Sequence, residues 1–582
     1  PDSPARDGEV IGVCQHACPA ACSLIATVRD GRLVGVRGNP AHPVTAGFLC
    51  AKMARASTRA YAPERILYPL RRVGAKGSDQ FRRIDWDEAI GDIARRWREI
   101  VAQDGPLAIV PFFGSGNEGV VQGRIAGRRF FNRLGALQLV RTVCTKAGRT
   151  AYVHTMGDSR MADPTAAEEA GLIVLWGVNP ASTHVHHLPV LKRARARGAA
   201  LVSVNPVRVG GIPEPDIRLR PRPGTDAAVA LALMHALIRD GRHDLAFVES
   251  FTTGFPALAE RARAYPPERA AAIAGVAAQD IERMARLYGE RRRSLIHVGP
   301  GCLRHSNAGM TMRAIACLPA LTGAWRWPGG GLYFPTSTAF PFDWSVLDGD
   351  ELRPNPPAGY NMIRLGRLLA DAAQPVRGLY VFDGNPAITL YDQERVRRGL
   401  GREDLFTVVH DTRLTDTARY ADIVLPATGP FEHADLLFSY YATEILLNRP
   451  AIAPPGEARS NLDVFRALAA ALGFDEPCFR QDAEAIVEDV LARPDLPLDA
   501  DGRAALRRDG WAFARVRPIH RRFESGVLAR RDRRIALYAE TLAAEGRDPL
   551  PDYVPPRESP EAAPAVFARY PLAFLTPAAH ST

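Results

Sequence analysis

Short runs of apolar residues alternate with polar loops rich in glycine and proline along most of the chain. Most of these runs are followed by a stretch with helical spacing of apolar residues, and strands that alternate with helices predict parallel sheets covered on both faces. Ligands of such sheets bind at the carboxyl ends of the strands, where the loops lie. Six runs predict strands: Leu107–Phe112, Leu172–Trp176, Ala200–Val204, Leu295–Val298, Gly378–Phe382 and Leu405–Val409.

The N-terminal region has a different pattern. Two short strand-like runs, Ser23–Arg29 and Arg32–Arg37, are joined by an Asp-Gly pair, which predicts a hairpin. A helix is predicted over Trp86–Gln103, with Asp85 as its N-cap. The first 60 residues therefore form a small element ahead of the alternating region.

The bulk composition excludes several classes of protein. The 582 residues are too many for one hydrophobic core, so we expect several domains. The net charge is +10, but the basic residues are spread among acids and include only four lysines, so we expect no nucleic-acid partner. No apolar run approaches the ~20 residues that span a bilayer, so we expect no membrane insertion. We expect a cytoplasmic protein, but the chain starts at Pro1 without a methionine or a leader, and this incomplete N-terminus leaves the periplasm open.

Four of the eight cysteines crowd the first 50 residues, which indicates a metal site rather than a disulfide scaffold. The motif Cys14-Gln-His-Ala-Cys18-Pro-Ala-Ala-Cys22 is followed 28 residues later by Cys50. Three close thiolates and a distant fourth suit a [4Fe–4S] cubane, whose four irons each take one thiolate. Zinc remains the alternative, although structural zinc usually takes two paired knuckles. We call these four residues the cluster cysteines.

Several further segments resemble one known family. These are Gly47-Phe-Leu-Cys-Ala-Lys52, Leu67-Tyr-Pro-Leu-Arg-Arg-Val-Gly74 and Ile84-Asp-Trp-Asp-Glu-Ala89. Together with the cluster cysteines they are similar to the start of the dimethyl sulfoxide reductase family, which binds two molybdopterin guanine dinucleotides. The resemblance continues almost to the end of the chain. It implies a multi-domain α/β fold, with a small [4Fe–4S] domain and doubly wound parallel-sheet domains.

The resemblance also implies roles for three residues. Cys144, in Arg141-Thr-Val-Cys-Thr-Lys-Ala-Gly148, aligns with the family's protein ligand to molybdenum or tungsten. Lys52 takes the position of a lysine that lies between the cluster and a pterin and helps to relay electrons. Lys146 lies near the metal in the alignment, where a positive charge would hold an anionic substrate or donate a proton.

The loops after the predicted strands match the family's dinucleotide-binding segments in order and spacing. Each turn alone is ordinary turn chemistry, although the turn at 222–226 opens a helix whose amide dipole can meet a phosphate. The cofactor-binding candidates are Trp176, Gly177, Asn179, Thr183, His187, Asn205, Pro206, Gly224, Thr225, Asp226, Gly301, Arg304, His305, Asn385, Pro386, Thr415 and Asp422.

The resemblance predicts four regions. Residues 1–65 form the [4Fe–4S] domain with later contributions, and 66–140 join about 340–470 in one α/β cofactor-binding domain. Residues 141–339 form a Rossmann-like α/β domain, and 565–582 begin a truncated C-terminal dinucleotide-binding domain. The early end of that last domain predicts that the chain is a fragment or that another polypeptide completes it.

The family implies two-electron oxidation or reduction of a small substrate at a molybdenum or tungsten centre, with electrons leaving through the cluster to an external protein or subunit. Formate dehydrogenases of the family carry a histidine directly after the metal-binding residue, whereas Thr145 follows Cys144 here, which disfavours formate. Two alternatives remain open. One is a non-redox hydratase or hydroxyltransferase on the same cofactor, and the other is a cofactor-poor electron-transfer or structural subunit.

Overall fold

The computed structural model describes residues 7–18, 20–114, 116–336, 342–371, 373, 375–525 and 534–577. The chain forms two compact units. The first comprises residues 1–142, 341–439 and 443–515, and the second comprises residues 143–340, 440–442 and 516–582. The chain therefore crosses between the units several times, and the predicted 66–140 and 340–470 segments both fall mainly in the first unit.

The first unit is built on a six-stranded sheet. Its strands lie in the order Phe81–Arg83, Leu70–Arg72, Ile423–Pro426, Phe406–Asp411, Gly378–Phe382 and Ile109–Phe113. The last four are parallel, and the first two are antiparallel additions. A three-stranded antiparallel sheet holds Gly8–Val13, Ser23–Arg29 and Arg32–Gly38. A second holds Asp435–Phe438, Glu444–Asn448 and Trp511–Phe513, and Gln138–Val140 pairs with Gly359–Asn361.

The helices of the first unit cover its main sheet and the cluster region. A π-helical turn, Val121–Ile125, leads directly into Ala126–Leu134, and such turns are frequent near functional sites. The other helices are Ala51–Ala54, Ala56–Ala60, Trp86–Asp104, Ser345–Asp348, Leu365–Ala370, Pro386–Thr389, Gln393–Leu400, Asn461–Leu472, Ala483–Ala492 and Ala500–Asp509.

The second unit is built on a five-stranded parallel sheet in the order Ile217–Leu219, Ala200–Val204, Leu172–Trp176, Ser294–Val298 and Gly331–Tyr333. Thr252–Thr253 pairs with Ile535–Ala536. Its helices are Lys146–Met156, Pro180–Thr183, His187–Ala196, Asp226–Arg239, Leu245–Phe251, Phe255–Arg263, Pro267–Ala274, Ala278–Glu290, Ala308–Leu321, His520–Ser525, Glu540–Ala544 and Pro564–Arg569.

These sheets confirm the predicted fold class. The N-terminal hairpin is confirmed as well, because Asp30 and Gly31 both take positive φ, as its tight turn requires. The predicted helix runs over Trp86–Asp104, and Asp85 caps it by accepting a hydrogen bond from the Glu88 amide at 2.7 Å. The predicted strand boundaries are correct to within two residues.

The last described residues, 570–577, form neither helix nor strand, and Leu572 and Phe574 are about 90% exposed. The predicted start of a C-terminal dinucleotide-binding domain covers 565–582, and residues 578–582 lie outside the described residues. Among the described residues, no helix has the length and apolar character needed to cross a membrane.

Candidate functional site

The cluster cysteines come together in the first unit. Three of them lie in the loop between strands Gly8–Val13 and Ser23–Arg29, whose ends are joined by a hydrogen bond from the Cys14 amide to the Cys22 carbonyl at 2.9 Å. Cys50 caps the helix Ala51–Ala54. All four pack into one apolar cluster that also contains Met53 and Phe431. The structure thus assembles the four thiols that the spacing predicts.

The electrostatics of these thiols fit a bound cationic core. Burial, together with the nearby Cys18 and Cys50, raises the pKa of Cys14 to about 12. Burial also raises the pKa of Cys22 well above its usual value, and the other three thiols add to this effect. Thiolates that repel one another in a buried site are stabilised when iron binds them, so the donor set fits a [4Fe–4S] cluster.

No group of three or more His, Cys, Asp or Glu side chains is arranged to hold a single metal ion in the part of the chain that the structure describes. A cubane spans a wider set of thiolates than one ion does. The fit of the cluster therefore rests on the shared packing and electrostatics of the four thiols.

Two cations accompany the cluster cysteines. Lys52 lies in the helix that Cys50 caps, and Arg59 lies in the next helix, with its Nη2 3.2 Å from Nε2 of His16. Burial, together with the charges of Arg59 and Lys52, lowers the pKa of His16 to about 4. His16 is therefore neutral and accepts a hydrogen bond from Arg59. Arg59 was not predicted, because only its position seven residues after Lys52 distinguishes it from the other arginines.

Cys144, the candidate metal ligand, lies in the second unit. It is exposed in the turn before helix Lys146–Met156, and Lys146 is the first residue of that helix. Partial burial lowers the pKa of Lys146, and Arg149 lowers it further. A Cβ added at Gly148 would lie 2.8 Å from Leu303, so this helix packs closely on the loop after strand Ser294–Val298.

That loop lies at the switch point of the five-stranded sheet. Strands Leu172–Trp176 and Ser294–Val298 are neighbours, and the remaining strands extend from them in opposite directions. Their following loops meet through backbone atoms, because the Gly301 amide donates to the Gly177 carbonyl at 3.2 Å. Gly177 has φ +63°, and a Cβ there would lie 2.3 Å from Sγ of Cys302. Only glycine fits this approach, which lies at the switch point, where the crevice that binds ligands of such sheets is found.

Gly177→Ala is expected to lower the free energy of unfolding by about 3 kcal/mol, since it adds a collision with Cys302 to the cost of positive φ. Gly198→Ala is the matched control: φ is +87°, but nothing lies within 4 Å of the added Cβ. We expect the control to cost about 1 kcal/mol. Chemical denaturation of both variants measures the difference, and equal losses would contradict a steric requirement at Gly177.

Several other candidates form the wall of this crevice. The indole Nε1 of Trp176 donates to Oδ1 of Asp226 at 2.8 Å, and Sγ of Cys302 lies 3.8 Å from the same oxygen. Burial raises the pKa of Asp226, partly offset by the Trp176 hydrogen bond. The Thr225 hydroxyl donates a hydrogen bond to the Arg222 carbonyl at 2.7 Å, and the neighbouring Gly224 has φ +78°. The polar groups of these side chains have hydrogen-bond partners within the fold, so we assign the side chains to the wall of the crevice.

His187 belongs to a buried group that the sequence did not reveal. Its Nδ1 lies 3.1 Å from the Tyr441 hydroxyl, and its ring centroid lies 4.9 Å from that of His297. Nδ1 of His184 lies 3.4 Å from Nε2 of His297. One ring nitrogen of each histidine is buried without a hydrogen-bond partner among the described residues. We call His184, His187 and His297 the histidine cluster. His184 and His187 are three positions apart, and His187 is the first residue of a helix, but nothing in the sequence pairs them with His297.

The remaining candidates of the second unit lie in the same loops. The Asn179 amide donates to Ser182 at 3.2 Å, and its buried Oδ1 has no hydrogen-bond partner within the described residues. Thr183 donates to the Asn179 carbonyl at 3.0 Å, and Asn205 donates to the Val178 carbonyl at 3.3 Å. Pro206 follows Asn205, whereas His305 is half-buried and Arg304 is exposed.

The candidates of the first unit do not all meet. Asn385 and Thr415 follow the carboxyl ends of strands Gly378–Phe382 and Phe406–Asp411, where Pro386 opens a short helix. Asp422 instead precedes strand Ile423–Pro426, at the opposite edge of the sheet. Arg72 donates to its carboxylate at 2.7 Å and Lys76 lies 3.0 Å from it. The Asp422 carboxylate therefore pairs with cations at the opposite edge of the sheet, and Asp422 is not part of the candidate site.

The buried, unpaired polar atoms fit a polar ligand at the carboxyl edge of the five-stranded sheet. Oδ1 of Asn179 and Nε2 of His187 are such atoms, and both residues follow strand Leu172–Trp176 in the chain. A dinucleotide offers phosphates and ring heteroatoms to groups of this kind. The residues present thus fit polar groups of a molybdopterin cofactor.

Comparison with known proteins agrees with this geometry. Residues 65–471 match the family described as molybdopterin oxidoreductase, and residues 9–62 match the molybdopterin oxidoreductase Fe4S4 domain. The chain is 39% identical over 555 residues to the probable oxidoreductase YoaE of Bacillus subtilis, covering 94% of this chain and 81% of that protein. It is 25% identical over 602 residues to acetylene hydratase of Syntrophotalea acetylenica, covering 96% and 81% respectively. The solved structure of acetylene hydratase from Pelobacter acetylenicus superposes with a TM-score of 0.80 over 97% of this chain and 82% of that chain, at 24% identity.

Proposed function

The chain belongs to the molybdopterin oxidoreductases of the dimethyl sulfoxide reductase family, and on that premise we propose that it oxidises or reduces a small substrate by two electrons and passes electrons through a [4Fe–4S] cluster. Two observations carry the proposal: the four cluster cysteines are assembled in the first unit, and Cys144 lies just before a helix of the second unit that packs on the loop after strand Ser294–Val298. We infer two molybdopterin guanine dinucleotides, with molybdenum or tungsten, as the cofactor.

When bound, the cofactor supplies a metal that changes its oxidation state by two electrons. The residues of this chain hold and orient it. Cys144 is the proposed protein ligand, and the crevice around Gly177 and Gly301 accepts a dinucleotide. Lys52, next to the cluster cysteines, is the proposed residue for electron transfer. An external protein or subunit is the proposed electron partner.

Elemental analysis of anaerobically purified protein tests this proposal. We expect about four irons and one molybdenum or tungsten per chain, together with released pterin. In Cys14→Ser the iron content should fall, whereas Cys144→Ser should keep the iron and lose turnover. Zinc without pterin in the wild-type protein would overturn the proposal.

Lys146→Ala is expected to lower turnover about 100-fold while metal and pterin contents stay unchanged, because a proton donor or an anion-holding charge is lost next to the metal ligand. The matched control is Lys192→Ala, which removes an exposed lysine from a helix of the same unit. Turnover is measured with reduced viologen and a panel of sulfoxides, N-oxides and oxyanions. Equal turnover in the two variants would remove Lys146 from the mechanism.

A hydratase reaction is the second candidate, because the relative of 25% identity over 96% of this chain is named acetylene hydratase. Hydration adds water without net electron transfer. Incubation of the protein with acetylene and no electron acceptor separates the two: aldehyde formation in that assay, with no activity in the viologen assays, would favour the hydratase.

A further inference from the structure

Two guanidinium groups flank one aromatic ring at the edge of the six-stranded sheet. Phe113 is the last residue of strand Ile109–Phe113 and is buried. The guanidinium carbon of Arg128 lies 5.8 Å from the centre of its ring, and that of Arg141 lies 5.3 Å from it. Arg128 comes from helix Ala126–Leu134, and Arg141 directly follows strand Gln138–Val140. Two separate segments thus bring positive charge to the carboxyl end of a parallel strand, where ligands bind.

Neither guanidinium has a hydrogen bond within the described residues. The carboxylate closest to Arg128 is that of Asp348, at 3.7 Å, and Asp348 already accepts two hydrogen bonds from Arg124, at 2.9 and 2.8 Å. Nε of Arg128 is fully buried without a hydrogen-bond partner. Around Arg128, three arginines face two carboxylates, those of Asp348 and Asp350.

This arrangement is costly without a ligand. Burial, together with the charges of Arg124 and Arg141, lowers the pKa of Arg128 to about 10, even though the carboxylates of Asp348 and Asp350 act in the opposite direction. A buried charge is normally paired or hydrogen-bonded. Arg141 is half-buried and also lacks an ion pair in the described part of the chain. The three arginines thus carry one more charge than the two carboxylates neutralise, and a bound anion would balance it.

We propose that Arg128 and Arg141 form a binding site for a small oxyanion. A guanidinium presents pairs of N–H groups that match two oxygens of one anion, and two such groups select a ligand with several oxygens on a single centre. The anion is either a free substrate or product of the reaction, or a phosphate of the bound dinucleotide. The first source rests on the proposed function, since Arg141 lies three residues before Cys144 in the sequence.

Sulfate is the probe. The thermal midpoint of the purified holoprotein is followed while sodium sulfate replaces sodium chloride at constant ionic strength, for the wild type, Arg128→Gln and Arg141→Gln. If the site takes a free oxyanion, sulfate raises the wild-type midpoint and binds each variant at least tenfold more weakly, with pterin content unchanged. If it holds a cofactor phosphate, both variants lose pterin and sulfate has little effect on the wild type.

Arg95→Gln is the control, because Arg95 forms exposed ion pairs on a helix of the same unit. It should keep both the pterin and the sulfate response. Arg141→Gln carries the test alone if Arg128→Gln fails to fold. An unchanged sulfate affinity and an unchanged pterin content in the Arg141 variant would overturn the site. A wild-type protein that responds to sulfate but contains no pterin would overturn the proposed function and leave the anion site standing.

Discussion

Acidification from pH 7.5 to pH 5 is expected to cost the second unit about 6 kcal/mol of stability through the histidine cluster alone. Burial lowers the pKa of His187 to about 3, and it lowers the pKa values of His184 and His297 well below the ordinary value of 6.5. The neighbouring imidazoles lower those of His184 and His297 further. The three rings therefore stay neutral in the fold at pH values where they are charged in the unfolded chain.

The direction follows from proton uptake. Below pH 6.5 the unfolded chain binds protons that the buried rings cannot take, so protons stabilise the unfolded state. The contribution of each ring is complete above pH 6.5 and is lost as the pH falls towards the folded value. At pH 5 the loss is about 2 kcal/mol for each ring, against a total stability of roughly 5–15 kcal/mol for a typical domain.

His297→Leu isolates the effect. Buried carboxylates act in the opposite direction, because burial raises the pKa of Asp226 and its protonation on acidification stabilises the fold. The prediction therefore concerns the difference between variant and wild type: the loss between pH 7.5 and pH 5 should shrink by about 2 kcal/mol. His154→Leu is the control, because this half-exposed ring bonds Thr541 at 2.9 Å. An acid sensitivity equal to that of the wild type in His297→Leu would show that the cluster takes up protons in the folded state.

Local patterns were sufficient for the elements of the fold. The Asp-Gly turn, the Asp85 cap and the buried strands each follow from residues adjacent in sequence, so their prediction required no knowledge of tertiary structure. The same holds for the cluster cysteines, three of which share one loop. Asp422 shows where local patterns stop: strand Ile423–Pro426 was not among the predicted strands, so the sequence did not reveal that Asp422 precedes a strand instead of following one.

Contacts between distant segments were not predictable. His184 and His297 are 113 residues apart, and a histidine at the end of an apolar strand gives no sign of its partner. Arg128 and Arg141 resemble any other pair among 70 arginines until Phe113 brings them together. Such polar groups are placed by packing, which a single sequence does not display. They are also the groups on which the two new inferences about acid stability and anion binding depend.

Arg65→Leu is expected to lower the free energy of unfolding of the first unit by about 3–5 kcal/mol, because it leaves the Glu432 carboxylate buried without its partner. Nη1 of Arg65 donates to Oε1 of Glu432 at 2.6 Å, and Nη2 bonds the second oxygen. The same guanidinium donates to the carbonyls of Ala60 and Ala427, at 3.0 and 3.1 Å. The Arg65 side chain thus connects the end of helix Ala56–Ala60 to Glu432, which lies 367 residues further along the chain than Arg65.

The matched control is Arg37→Leu, because the Arg37–Glu9 pair is about half exposed and should be worth at most about 1 kcal/mol. The double variant Arg65→Leu/Glu432→Leu should lose less than Arg65→Leu alone, since no unpaired charge remains. Phe431, next to Glu432, packs in the apolar cluster with Cys14 and Cys22, so iron content should fall in Arg65→Leu and recover in the double variant. Chemical denaturation and iron analysis of all three variants measure this. A double variant less stable than Arg65→Leu would show that the pair stabilises the cluster site by attraction, beyond the avoidance of a buried charge.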